Sequence, residues 1–167
     1  GGAVNCFAET GAYIFAATKG AGVYRSSDQG ATWAPASSGL GADSDVRALT
    51  VVGNELFAGV ASGGGVYCST DDGLTWTAAK AGLGNASVQT FTFDGLSLFA
   101  GTTAGVFRYD AIGKTWTPFS IGLGTMLDIR SLAVTHAASG STSLFAAVYG
   151  GGVYRSIDGG NWSTCNN

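Results

Sequence analysis

The chain has 167 residues; 46% are hydrophobic, 28 are glycine and 11% are charged, with a net charge of −3. This apolar content excludes a disordered charged tail, although the charged fraction lies well below the roughly 25% of an ordinary globular chain. Scattered arginines and lysines argue against a nucleic-acid partner, and polar residues interrupt every apolar run before the roughly 18 residues that a membrane span needs.

One motif occurs four times along the chain, which indicates a repeat architecture. The tryptophans are 43, 40 and 46 residues apart: Trp33, Trp76, Trp116 and Trp162. They end four similar segments: GVYRSSDQGATW, GVYCSTDDGLTW, GVFRYDAIGKTW and GVYRSIDGGNW. A Gly-Leu-Gly segment follows each of the first three tryptophans. We expect one domain of four units with approximate bounds at residues 1–42, 43–85, 86–126 and 127–167.

Each repeat contains four short runs rich in Val, Phe, Leu, Tyr and Thr, which are typical of strands separated by polar or glycine turns. In the second repeat we place strands at residues 46–52, 55–61, 65–69 and 75–79. The second run is apolar on both faces, as expected for a strand that is covered on both sides. We therefore predict an all-β fold, a β-propeller of four four-stranded antiparallel blades. Half of a larger propeller, completed by oligomerisation, and an open β-solenoid are the alternatives.

A Ser-x-Asp-x-Gly-x-Thr-Trp motif precedes two of the tryptophans and resembles the Asp-box, or BNR, repeat. The complete copies consist of Ser26, Asp28, Gly30, Thr32 and Trp33, and of Ser69, Asp71, Gly73, Thr75 and Trp76. The fourth copy is one residue shorter and contains Ser156, Asp158, Gly160 and Trp162. The third copy keeps Trp116 but has Tyr109 and Ala111 at the serine and aspartate positions.

These residue types suit a tight turn. Aspartate accepts hydrogen bonds from backbone N–H groups one or two residues onward, glycine adopts positive φ, and tryptophan buries a large apolar area. The resemblance implies that the motifs lie at the blade periphery, away from a ligand site. We expect the aspartates to be structural, with metal binding or catalysis as the alternative, and we predict no cofactor and no metal.

The Asp-box resemblance covers proteins with different activities, including sialidases, xyloglucan-cleaving hydrolases, sortilin-type receptors and a photosystem assembly factor. Sialidases have six blades, an arginine triad and a Tyr–Glu pair, whereas this chain has four repeats and two glutamates. The resemblance therefore predicts the fold more strongly than the activity, and a glycoside hydrolase is the enzyme class that it leaves open.

Two acidic residues outside these motifs occupy equivalent places in the second and fourth repeats. Asp45 precedes Arg47 by two residues, and Asp128 precedes Arg130 in the same way. In a four-bladed ring these repeats would face each other across the central channel, so the four residues are candidates for a ligand site. The alternative is that each Asp–Arg pair attaches a linker to its strand.

Other polar residues give weaker indications. Arg25, Arg108 and Arg155 share one register of the third strand and form either a binding stripe or a row of solvated side chains. His136 has no neighbouring cysteine or acidic residue in the sequence, and we expect it to face solvent.

Cys6 and Cys165 lie near the two ends of the repeat array, and Cys68 lies between them. A Cys6–Cys165 disulfide would join the first and last blades, in a design that resembles the four-bladed hemopexin-like propeller. Three reduced thiols, or an intermolecular bond, are the alternatives.

Two segments match the N-glycosylation pattern, at Asn85 in NAS and at Asn161 in NWS. Together with the low charge and the predicted disulfide, they favour an extracellular or cell-surface location.

The sequence as a whole favours a non-enzymatic, extracellular propeller that serves as a binding or assembly module. Its expected partner is a protein, including further copies of the chain in a larger ring, filament or surface layer, or else a glycan. The alternative is a glycan-processing enzyme, or a fragment of a larger Asp-box hydrolase or receptor.

Overall fold

The structure is a computed structural model, and it describes residues 2–41 and 44–165. All sixteen regular elements in these residues are β-strands. Within this part of the chain, no helix has the length and apolarity needed to cross a membrane.

The strands form four sheets, one for each repeat. The first contains β1 (Val4–Glu9), β2 (Ile14–Thr18), β3 (Gly22–Ser26) and β4 (Ala34–Pro35). The second contains β5 (Val46–Val52), β6 (Glu55–Val60), β7 (Gly65–Ser69) and β8 (Thr77–Ala78). The third contains β9 (Val88–Phe93), β10 (Leu98–Thr102), β11 (Gly105–Asp110) and β12 (Thr115–Pro118). The fourth contains β13 (Ile129–His136), β14 (Thr142–Val148), β15 (Gly152–Ile157) and β16 (Ser163–Thr164).

Every sheet has its strands in sequence order, each paired antiparallel with the next. This is the meander expected of a propeller blade, so the predicted fold class is confirmed. In the second repeat the predicted strands agree with β5, β6 and β7 to within one residue, while the outermost strand is shorter than predicted. The first strand of three sheets carries an irregularity near its start, for example between Val46 and Ala48.

The sheets belong to two compact units, which are described separately. The first unit comprises Gly1–Lys80 and Gly84–Val88, and the second comprises Ala81–Leu83 and Gln89–Asn167. Phe15, Leu56 and Trp76 belong to the core of the first unit, and Phe99, Leu144 and Trp162 to that of the second. Each core is therefore built from side chains of two neighbouring sheets.

The second strand of each of the first three sheets is buried nearly throughout, as the apolar runs predicted. In the second unit a small residue lets the fourth sheet approach β10 closely. A Cβ atom on Gly101 of β10 would lie 2.8 Å from Cγ2 of Ile129, the first residue of β13. Glycine at this position therefore permits the close packing of the third and fourth sheets.

The Gly-Leu-Gly segments form linkers that hold the next tryptophan by its backbone. Ser38 lies just before the linker of residues 39–41. Its carbonyl accepts a 2.8 Å hydrogen bond from the backbone N–H of Trp76. Gly39 has φ of 94°. A Cβ atom on this residue would lie 2.2 Å from the carbonyl oxygen of Trp76, so only glycine fits here. Leu40 is buried in the core. The linkers at 82–84 and 122–124 repeat this arrangement on Trp116 and Trp162.

Candidate functional site

Two turns, at residues 26–33 and 69–76, have nearly identical hydrogen bonds and are called the aspartate turns below. In the first, Oδ1 of Asp28 accepts from the backbone N–H of Thr32 at 2.8 Å, and Oδ2 accepts from the Thr32 hydroxyl at 2.6 Å. The Ser26 hydroxyl donates to Asp28 at 2.7 Å and accepts from the Gly30 N–H at 2.8 Å. The side chains of the motif thus supply hydrogen-bond partners to backbone groups that would otherwise be unpaired in the turn.

The second aspartate turn reproduces these bonds. Asp71 accepts from the N–H and the hydroxyl of Thr75 at 2.8 and 2.6 Å. In the same way, Ser69 donates to Asp71 at 2.8 Å and accepts from the N–H of Gly73 at 2.9 Å. Because each carboxylate accepts three hydrogen bonds from within its own turn, the geometry supports a structural role for both aspartates.

Hydrogen bonding also changes the acidity of these two aspartates. The bonds from the Thr32 side chain and backbone, with that from Ser26, lower the pKa of Asp28 to about 2. The corresponding bonds, chiefly from Thr75, lower the pKa of Asp71 to about 2. Both groups lie at the surface, so donors that favour the ionised form, rather than burial, cause the shift.

The third and fourth repeats depart from this turn in different ways. Asp158 accepts a 2.7 Å bond from the N–H of Thr142, at the start of β14, instead of closing its own turn. The fourth segment is one residue shorter and has Asn161 where threonine stands elsewhere, so the donor hydroxyl is missing. In the third repeat, Tyr109 packs on Trp116 with ring centroids 4.9 Å apart. The four repeats therefore share a fold but not one turn chemistry.

Burial was correctly predicted for three tryptophans and wrongly for Trp33. Trp76, Trp116 and Trp162 are buried, whereas Trp33 is 39% exposed. The Trp76 indole donates to the Ala36 carbonyl of the preceding sheet at 2.8 Å. The Trp33 indole instead donates to Gly30 of its own turn at 3.1 Å. Trp76 and Trp162 are covered by the sheet that precedes their own within the same unit, whereas Trp33 has no such cover in this structure.

Each predicted Asp–Arg pair forms an ion pair near the start of its own strand. Arg47 Nε lies 3.3 Å from Asp45, which also accepts a 3.2 Å bond from the Asn5 side chain. Arg130 lies 2.6 Å from Asp128, and its guanidinium lies over the ring of Tyr149. These contacts favour the interpretation that the pairs attach linkers to strands.

The backbone of both aspartates supports that interpretation. The carbonyl of Asp45 accepts from the N–H of Ala61, and that of Asp128 accepts from the N–H of Tyr149. The second oxygen of Asp128, Oδ1, is buried without a hydrogen-bond partner. Asp45 lies in the first unit and Asp128 in the second, so their use as a facing pair stays a prediction.

The first unit contains an open cavity of about 760 Å³ between turns of the first and second sheets. Its polar lining comes from the turns after β1 and β5 and from the second aspartate turn: Glu9, Thr10, Asn54, Thr70 and Asp72. Arg25 borders the same turn, because its guanidinium donates to the Asp72 carbonyl at 3.0 Å. The cavity thus combines two carboxylates with hydroxyl and amide groups.

Sequence reasoning missed this cavity. Glu9, Asn54 and Asp72 come from three turns far apart in the chain, and only Asp72 lies in a recognised motif. The repeat offered one indication of this cavity, because the turn after the first strand and the aspartate turn recur in each unit. A cavity of about 310 Å³ in the second unit is lined by the corresponding turns, including Asp94 and Asp158.

The remaining predicted residues are exposed or partly buried. Cys6 and Cys68 are half-buried and Cys165 is exposed, and none of the three forms a disulfide in this structure, so the Cys6–Cys165 disulfide stays a prediction. Asn85 and Asn161 are both exposed, as glycosylation would require. Among the described residues, no cluster of three or more His, Cys, Asp and Glu side chains is placed to hold a metal ion.

Several solved structures share this fold. The GH74 xyloglucanase from Xanthomonas campestris is 24% identical, with a TM-score of 0.70 over 96% of this chain and 24% of its own. The extracellular domain of a B. thetaiotaomicron protein described as a one-component system is 15% identical, with a TM-score of 0.77 over 99% and 22%. YCF48 bound to D1 peptide is 16% identical, with a TM-score of 0.64 over 96% and 52%.

At these identities the likeness shows the fold alone, and the chain spans between about a quarter and about half of the length of those proteins. No curated protein matches the chain. The sequence profile of the DUF6242 beta propeller domain matches residues 3–121, which include the strands of the first three sheets. Because that match covers most of the chain, the chain belongs to the DUF6242 beta propeller domain family.

Proposed function

We propose that this propeller is a non-enzymatic, extracellular binding module that holds a polar ligand, a glycan or a polar protein segment, in the cavity of the first unit. The observation that carries the proposal is the lining of that cavity. Thr10, Asn54 and Thr70 present hydroxyl and amide groups that both donate and accept hydrogen bonds, as sugar hydroxyls and peptide groups require. The turns that carry them are held in place by the rigid sheets behind.

The non-enzymatic part of the proposal draws support from the way the acidic side chains are used. Asp28 and Asp71 close their own turns, and Asp45 and Asp128 are bound by arginines two residues away. A general acid or base must instead be free to exchange a proton with the substrate.

The likeness to solved propellers adds context for the ligand and the location. YCF48 was solved with D1 peptide, which illustrates that a propeller of this type can take a peptide. The B. thetaiotaomicron domain is extracellular. The exposed sequon at Asn85 and the low charge of the chain are consistent with the same location. Labelling of intact cells with a membrane-impermeant reagent tests the location.

Binding is tested by affinity electrophoresis in gels that contain soluble polysaccharides, xyloglucan among them, and by titration with polar peptides. We expect retardation or a binding isotherm with at least one probe, and at least tenfold weaker binding for Asn54→Ala. Gln29→Ala is the matched control, because Gln29 is also an exposed turn residue with an amide side chain but does not line the cavity. Equal binding by both variants would contradict this placement of the site.

A glycoside hydrolase is the second candidate, and one observation favours it. Glu9 and Asp72 are two carboxylates on the lining of one cavity, the minimum set for glycoside hydrolysis. Incubation with xyloglucan and measurement of reducing ends separates the candidates. Release of sugar that Glu9→Gln and Asp72→Asn both abolish would establish the enzyme, whereas binding without release supports the module.

A further inference from the structure

The first and third sheets carry an arginine at the same position of their third strands. Arg25 in β3 and Arg108 in β11 each lie opposite a phenylalanine of the second strand. In the first unit the guanidinium of Arg25 lies 4.8 Å from the centroid of the Tyr13 ring, and it donates to the carbonyl of Asp72 at 3.0 Å. The first unit thus shows which groups satisfy an arginine at this position: an aromatic ring and an oxygen acceptor.

The third sheet repeats the turn that carries Tyr13 but lacks its ring. Ser97 directly precedes β10, as Tyr13 directly precedes β2. The two turns are closed in the same way, because the N–H of Thr10 donates to the carbonyl of Tyr13 and the N–H of Asp94 donates to that of Ser97. The side chain of Ser97 therefore begins where that of Tyr13 begins, and it is too short to cover Arg108.

Two cavities lie beside the place that the missing ring would fill. They have volumes of about 380 and 310 Å³, and both are lined by Leu96, Ser97, Arg108 and Phe119, which are called the ring slot below. Within the described part of the chain, no hydrogen bond, ion pair or aromatic ring reaches the guanidinium of Arg108. The ring of Phe119 packs on Phe99 instead, with centroids 5.3 Å apart. The slot thus has room for a ring and a cation to stack on it.

The charges around the ring slot favour a neutral ring that carries a hydrogen-bond donor. Asp94 and Asp158 line one of the cavities, and Asp110 lines the other. Each of them accepts from backbone N–H groups through one carboxylate oxygen, Oδ1. Three carboxylates beside one guanidinium disfavour an anionic ligand, whereas a phenol hydroxyl can donate to a carboxylate oxygen. Tyrosine combines that hydroxyl with the ring.

The rim of the ring slot is apolar. Leu96 and Ile112 both line the larger cavity, and their side chains are 93% and 96% exposed. A free phenol would leave both side chains in water, whereas a chain segment with apolar residues beside a tyrosine would cover them. The rim therefore favours a segment of protein over a small aromatic molecule.

We propose that the ring slot binds the side chain of a tyrosine in a segment of a partner protein. The ring stacks on the guanidinium of Arg108 as Tyr13 stacks on Arg25, and its hydroxyl donates to an aspartate of the lining. Neighbouring side chains of the segment cover Leu96 and Ile112. This site belongs to the second unit and is independent of the ligand proposed for the first-unit cavity.

Titration of the protein with a capped pentapeptide, Gly-Leu-Tyr-Leu-Gly, followed by NMR chemical shifts, tests the proposal. We expect the tyrosine peptide to bind at least about tenfold more tightly than the same peptide with alanine at the centre. A peptide with phosphotyrosine should bind more weakly than the tyrosine peptide, because the lining carboxylates repel the phosphate.

Two variants test the position of the site. Arg108→Gln removes the stacking cation and should weaken binding of the tyrosine peptide about 3- to 30-fold. Arg155→Gln is the matched control, since Arg155 has the same register in the fourth sheet and is exposed but lines neither cavity. Ser97→Tyr supplies the ring from within the chain, so we expect it to abolish peptide binding while the midpoint of urea denaturation stays the same or rises.

Four results would overturn the proposal. These are no binding of the tyrosine peptide up to its solubility limit, equal binding of the tyrosine and alanine peptides, equal effects of Arg108→Gln and Arg155→Gln, and a folded Ser97→Tyr variant that binds as the wild type does. Tighter binding of the phosphotyrosine peptide would contradict the neutral ring and indicate an anion site at Arg108. None of these results bears on the first-unit cavity, whose test depends on Asn54.

Discussion

The Gly-Leu-Gly linker offers a direct test of how one sheet is joined to the next. Gly39 and Gly41 have φ of 94° and 88°, so alanine meets almost the same backbone penalty at both, about 1–2 kcal/mol. Their surroundings differ. A Cβ on Gly39 would lie 2.2 Å from the Trp76 carbonyl oxygen, whereas one on Gly41 would meet its first neighbour, the Ser44 hydroxyl, at 4.0 Å.

We expect Gly41→Ala to lower the free energy of unfolding by about 1–2 kcal/mol, from the backbone alone. Gly39→Ala must also move the Trp76 backbone by about 1 Å, which adds about 1–3 kcal/mol for overpacking. The displacement weakens the bond from Trp76 to the Ser38 carbonyl as well, at about 1 kcal/mol. The total for Gly39→Ala is therefore about 3–6 kcal/mol.

Urea denaturation of both variants, followed by circular dichroism at one protein concentration, measures the difference. The expected gap between them is at least about 1 kcal/mol, taken from the overpacking contribution. Equal losses for the two variants would refute the reasoning, because they would mean that the linker does not hold the next sheet by contact with its tryptophan backbone.

Three other predictions follow from the contacts described above. Hydrogen bonds lower the pKa of Asp28 and Asp71 to about 2, so the contribution of these aspartates to stability is complete above about pH 4 and is lost as the pH falls through 2. Asp71→Asn should therefore make stability, measured by acid denaturation, depend less on pH in that range. Trp76→Phe leaves the buried Ala36 carbonyl without its donor and should cost about 1–3 kcal/mol in the same urea assay. Mass spectrometry of non-reduced peptides should detect a Cys6–Cys165 pair, and free thiols at both positions in protein from an oxidising compartment would contradict it.

The fold could be predicted because the sequence pattern of each strand recurs in several repeats. Tyr109 and Ala111 remove the motif from the third repeat, yet the neighbouring copies still locate β11 and β12. The motif also predicted the aspartate turns, although it placed the backbone donor one or two residues after the aspartate, whereas Asp28 accepts from Thr32, four residues onward. A turn can thus be predicted from its own sequence motif even when tertiary contacts cannot.

Features that depend on a neighbouring sheet could not be predicted in this way. Trp33 and Trp76 have the same motif around them, but in this structure only Trp76 packs against a neighbouring sheet that precedes its own. Glu9 and Asp72 meet on one cavity because two turns of different sheets lie side by side, and no spacing in the sequence expresses that. Similar motifs therefore differ in burial according to their place in the array.

The same dependence on neighbours determines where the chain should be weakest. In a repeat array, stability is approximately the sum of the stabilities of single repeats and of the interfaces between neighbours. In this structure one side of the first sheet and one side of the fourth sheet are uncovered, as the exposure of Val4 and Val153 shows. Amide hydrogen exchange should therefore be faster in β1 and β15 than in β6 and β10, and equal rates in these four strands would contradict the reasoning.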